Sequence, residues 1–130
     1  LPNGNGLAYD ITWQIARTQL SLGLSLVVDT PLCYPVGYST GLALAQQFAA
    51  RLFVIETKLD ENIWRERLEA RARQGSEAHR ISGWAAMQAL LRQYNGCWDY
   101  PIDPAHHLPV DTSQPPDDCI QAVLRRIGIG

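Results

Sequence analysis

The chain has 130 residues, with 11 basic and 13 acidic side chains and a formal net charge of −2. That length fits one domain, which would bury roughly two-thirds of the surface its unfolded chain exposes. Hydrophobic residues make up 46% and charged residues 18%, a balance that excludes a disordered chain, and the near-zero charge argues against bulk nucleic-acid binding. No apolar run approaches the roughly 18 residues a membrane span needs, so no membrane partner is expected. The start, LPNGNGLAYD, has neither the basic end nor the apolar stretch of a signal peptide. It also lacks an initiator Met, which points to processing or to a piece of a longer chain. Cys33, Cys97 and Cys119 are widely spaced and form no CxxC. They support neither a disulfide framework nor a zinc ribbon, so the cytoplasm or another reducing compartment is expected.

In chain order, Ile11, Ile15 and Leu22 form one stripe within 7–22, which predicts a helix stopped by Gly23. LSLVVDT (24–30) is a short, Val-rich apolar run that suits a strand covered on both faces. Pro31 and Pro35 bracket a loop, and 39–50 reads as a second helix with Ser39 as N-cap. RLFVIET (51–57) is a second buried strand. Residues 60–74 read as an Arg-rich helix with an apolar edge of Ile63, Trp64 and Leu68. A polar loop over 75–81 follows, and Ser82 then caps a helix over 83–94. The stretch 95–107 reads as an ordered aromatic loop, and LPVDT (108–112) as a third strand. The last helix, 115–127, has two prolines and two acids at its start, two arginines at its end and Gly128 beyond. Strands separated by helices predict an α/β fold with a parallel sheet, and ligands of such sheets bind beyond the carboxyl ends of the strands.

Three constellations could carry chemistry. An apolar strand ending in Asp29 is the Walker B pattern, which holds a carboxylate where it can orient Mg²⁺ beside nucleotide phosphates; an Asp there also serves simply to cap the next turn. Arg65, Arg67, Arg71, Arg73 and Arg80 are five of the ten arginines, within sixteen residues. Arg67 and Arg71 are helical neighbours whose guanidinium forks could share one phosphate. The other explanation is a solvated helix with i,i+4 ion pairs, which Glu61–Arg65 and Glu69–Arg73 fit. Neither Arg67 nor Arg71 has an acid four residues earlier. Third, 93–124 contains no Lys or Arg but holds five aspartates, and His79, His106, His107 and Cys97 invite a metal reading. Adjacent His106 and His107 do not have the spacing of ligands on one helix face, so surface histidines are expected. A metal-dependent hydrolase using Asp29 and Asp111 is a rival reading on fold alone. The P-loop pattern GxxxxGK[ST] is absent: the single lysine, Lys58, stands in ETKLD with no glycine near it.

Together, residues 8–32, 51–71, 82–100 and 108–127 resemble the small, single-domain ATP-binding P-loop kinases related to gluconate kinase and the zeta-toxin-like kinases. The resemblance covers nearly the whole chain. It implies a three-layer sandwich with a parallel sheet, incomplete at the N-terminus, and 1–130 as the C-terminal two-thirds of one such domain, with a lid over about 65–81. It implies ATP and Mg²⁺ as cofactors and an unknown small-molecule phosphate acceptor. Asp29 would be the Walker B carboxylate and metal ligand, with Thr30 beside it. Arg67 and Arg71, with Arg65 and Arg73, would be lid arginines over the phosphates. Thr112 and Ser113 would border the adenine base, and Trp98 and Tyr100 would lie toward the acceptor. The family's P-loop strand, loop and helix would precede Leu1, so these residues alone are expected to be inactive. The alternative is a non-catalytic truncated remnant serving as a binding or dimerisation module. The family's strand order, 2-3-1-4-5, leaves a slot between 24–29 and 51–56. The expectations are direct pairing of these two strands, an oligomer that fills the slot, or a partner segment outside the sequence.

Overall fold

A computed structural model describes residues 4–75, 81 and 83–129. Its elements run α1 (Gly4–Ser21), α2 (Pro35–Gln47), β1 (Val54–Lys58), α3 (Glu61–Arg73), α4 (Trp84–Tyr94), β2 (His107–Asp111) and α5 (Pro116–Ile127). Helices together with a small parallel two-stranded sheet are compatible with the expected α/β class. The described chain divides into two compact units, one of residues 1–52 with 100–102, the other of 53–99 with 103–130.

In the first unit α1 packs on α2, burying Ala16, Leu44 and Ala45. The Trp13 ring lies over Gly41, where a side chain would meet it at 3.6 Å. Arg17 Nη1 donates to Gln47 Oε1 at 2.8 Å. Gly23, at φ +73°, ends α1 as expected, because only glycine adopts the left-handed conformation at little cost.

Two expectations fail in this unit. The first concerns α2, which starts at Pro35, four residues before the expected cap. Proline has its φ preset for a first helical position and pushes the preceding residue to extended backbone, here Tyr34 at φ −130° and ψ 146°. Ser39 therefore lies inside the helix, its hydroxyl donating to Val36 O at 3.1 Å. The second concerns 24–30, which forms no strand. The sheet of the described residues holds only β1 and β2, so 24–29 does not pair directly with 51–56. An apolar sequence becomes a strand only when a neighbour completes its ladder. Without one, Val27 is 91% exposed.

In the second unit β1 and β2 pair in parallel, Val54 opposite His107 through to Lys58 opposite Asp111. Their pairing agrees with the order 2-3-1-4-5, in which the last two strands are neighbours. The core here is Val54, Leu68, Trp84 and Leu108. Asp60 caps α3, its Oδ1 accepting from the Asn62 N–H at 2.9 Å. Helix α5 begins at Pro116, carries Asp117 and Asp118 in its first turn, and ends at Gly128 in the left-handed conformation. The cap expected of Ser82, with Arg80 and His79, lies outside the described residues.

Helix α4 starts at Gly83 with no capping side chain of its own. Its cap comes from α3: Glu69 Oε1 accepts the Trp84 N–H at 2.8 Å. Trp64 and Trp84 meet edge to face with centroids 5.4 Å apart, a contact worth about 1 kcal/mol beyond burial. Glu69 is thus a link between the two helices. We expect Glu69→Ala to destabilise the protein by about 1–2 kcal/mol, as loss of a helix cap does, and to speed hydrogen exchange at the Trp84 amide. Glu69→Gln keeps an acceptor oxygen and should restore most of both; equal exchange in the two variants would show that the bond carries no weight.

Candidate functional site

The carboxyl ends of β1 and β2 lie side by side, and their last paired residues are Lys58 and Asp111. Immediately beyond, Thr112 is fastened to β1: its N–H and its hydroxyl donate to Lys58 O at 2.8 and 2.9 Å. The Ser113 N–H donates to Asp111 Oδ1 at 2.9 Å. That hydrogen bond holds the Asp111 carboxyl below the usual aspartate range, helped by the nearby charge of Arg67. The charge of Arg67 on α3 is therefore near enough to act on the Asp111 carboxyl. This edge assembles Thr112 and Ser113 from the sequence-predicted residues, with Lys58 and Asp111 beside them.

Helix geometry sorts the four arginines of α3. With about 100° between successive residues, Arg67 and Arg71 fall on one flank of the buried Leu68 stripe. Arg65 and Arg73 fall on the other, roughly 180° away. There, with Asn62, Glu66, Glu69 and Ala70, they line an open groove of about 600 Å³. Two carboxylates accompany Arg65 and Arg73; the Arg67 and Arg71 flank of α3 carries none. The expected pairs Glu61–Arg65 and Glu69–Arg73 are not formed among the described residues. Glu69 is instead committed to α4.

Asp29 is exposed and Thr30 half-buried, at the end of the unpaired 24–30 segment in the first unit. In that unit the Tyr100 hydroxyl donates to Leu32 O at 2.8 Å. Burial pushes the Tyr100 phenol up, with Cys33 and Tyr38 adding to the shift. Trp98 belongs to the other unit, edge to face with Tyr94 at 6.5 Å.

Residue-by-residue reading missed one cluster. Glu56 and Lys58 project from one face of β1, because alternate strand residues share a side, and Lys58 Nζ lies 2.6 Å from Glu56 Oε1. The other Glu56 oxygen lies 2.7 Å from His107 Nε2. Opposite signs two residues apart in a strand are a visible signal, but His107 joins only once the register with β2 is known. Burial raises the Glu56 pKa; hydrogen bonds from Lys58 and His107, with their charges, outweigh it and leave Glu56 below the ordinary glutamate value. A depressed folded-state pKa adds stability above the unfolded-state value, and this is lost as pH falls through the folded one. Acid unfolding should therefore include a loss in that window, and Glu56→Gln should flatten it; an unchanged acid slope would show that the cluster does not stabilise the sheet.

Mg²⁺ ordinarily takes one or two protein carboxylates and completes its shell with water and phosphate oxygens. The exposed Asp29 carboxylate fits that donor set. Among the described residues, no group of three or more His, Cys, Asp or Glu is placed to hold a metal, and no helix is long and apolar enough to cross a membrane.

No curated protein and no solved structure matches this chain. A family model described as an AAA domain matches residues 1–94. The match covers most of the sequence and includes Asp29 and all four arginines of α3, so the chain belongs to the AAA domain family, a P-loop NTPase-like, nucleotide-binding group.

Proposed function

We propose that this chain is the Walker B, lid and base-binding portion of an ATP-dependent small-molecule kinase, within the three-layer parallel-sheet sandwich its family resemblance implies. The observation that carries the reading is the flank of α3 on which Arg67 and Arg71 stand one turn apart with no carboxylate of the helix beside them, the Arg67 charge being near enough to act on Asp111 at the end of β2. Phosphoryl transfer asks the protein mainly for position and charge stabilisation. Arg67 and Arg71 clamp the transferred group and neutralise charge developing on its oxygens. Arg65 and Arg73, on the opposite flank, serve nucleotide binding rather than the reacting group. Thr112 and Ser113 border the base. Asp29, with Thr30 beside it, holds Mg²⁺, whose charge would offset that of the phosphates. The acceptor is a small molecule.

A second reading, a binding or dimerisation module, has one observation in its favour. Leu7, Ile11, Ile15 and Leu22 form an exposed apolar stripe on and just past α1. An oligomer built on it would appear as a concentration-dependent sedimentation coefficient.

The kinase reading predicts that Arg67→Ala and Arg71→Ala each lower kcat for ATP turnover at least tenfold in the active protein, with the fold intact. Arg65→Ala and Arg73→Ala should act mainly on KM for ATP. Unchanged kinetics in the first two variants would return Arg67 and Arg71 to solvated surface charge.

A further inference from the structure

Lys58 is the only lysine of the chain, and it stands outside any glycine loop. The structure nevertheless puts it where the ligands of parallel sheets bind. It is the last residue of β1, it pairs with Asp111 at the end of β2, and its backbone carbonyl anchors Thr112. Its side chain is 59% exposed, and its ammonium group rests on Glu56 at 2.6 Å. Glu56 does not depend on that lysine alone, because its other oxygen meets His107. If Lys58 leaves, Glu56 keeps one partner and is not stranded as an unpaired, partly buried carboxylate.

We propose that Lys58 is a phosphate-binding residue of the nucleotide site, parked on the Glu56–His107 pair until a polyphosphate arrives. The inference rests on the nucleotide-binding reading above and assigns it a further contact from the sheet itself. A flexible lysine stem lets the ammonium swing from the strand face to the strand end. Exchange of one carboxylate partner for a phosphate keeps the charge paired throughout. The charge of Arg67 on α3 also reaches Asp111 at this edge, so a phosphate held by Lys58 would lie within the influence of a second cation. Glu56 competes with the ligand for Lys58 and weakens binding.

Calorimetric titration of the whole protein with Mg·ATP tests this. Lys58→Met keeps the stem and removes the charge; it should weaken binding about tenfold, as Arg67→Ala does, while Lys58→Arg keeps most of the affinity. Glu56→Gln removes the competitor and should tighten binding several-fold, and unchanged or weaker binding would overturn the parking role. Circular dichroism and exchange protection of the β1–β2 amides establish that each variant is folded. If Lys58→Met binds normally while Arg67→Ala does not, the lysine assignment falls and the nucleotide reading stands. If neither weakens binding, or the unaltered protein binds no Mg·ATP, both fall.

Discussion

The Val54 N–H donates to His106 O at 2.7 Å, and from that bond the ladder runs in parallel to its end at Lys58 and Asp111. The organisation of the second unit follows from this pairing. Parallel strands must end at the same edge, so the chain leaves β1 for α3 and β2 for α5 from adjacent points. Asp60 begins α3 there. The turn from Asp111 to Ser113 begins the path to α5. An antiparallel pairing would carry the same residues to opposite ends of the sheet, and Lys58 would then have no shared edge with Asp111.

The orientation of α3 is the second constraint. Leu68 is buried, Trp64 meets Trp84, and Glu69 accepts the first amide of α4. Three contacts spread over two sides of the helix leave it little freedom to roll. They also separate its arginines by surroundings. Those beside Glu66 and Glu69 sit in mixed charge, where a phosphate would meet repulsion as well as attraction. Arg67 and Arg71 have only apolar and basic neighbours on their flank of the helix. Among the described residues neither makes an ion pair, an arrangement that leaves both guanidinium groups available to an anion.

Local signals read well from the sequence. Gly23 and Gly128 act through the backbone beside them, and the helix ends they mark stand where expected, while Asp60, read as the first residue of its helix, is the cap of α3. The start of α2 was legible too, but in Pro35 rather than in Ser39, because the preset backbone of proline outweighs a hydroxyl that has a carbonyl to bond inside the helix. What depends on a distant partner was not legible residue by residue. LSLVVDT has the composition of a buried strand, yet composition supplies no ladder, and among the described residues it has no neighbouring strand. Glu56 and Lys58 could be paired from their spacing, whereas His107 lies 51 positions from Glu56 and enters only through the register. The arginines were legible as a cluster; which of them share a flank required the buried stripe.

We propose that the carboxyl edge of β1 and β2, with Arg67 and Arg71 of α3, receives nucleotide phosphates. Amide chemical-shift mapping during a Mg·ATP titration tests it most directly. The account predicts saturable shifts concentrated at Lys58, Arg67, Arg71 and 111–113, with α5 beyond its first turn unaffected. Saturable binding that leaves those amides unmoved, or no shift at millimolar Mg·ATP, would contradict it.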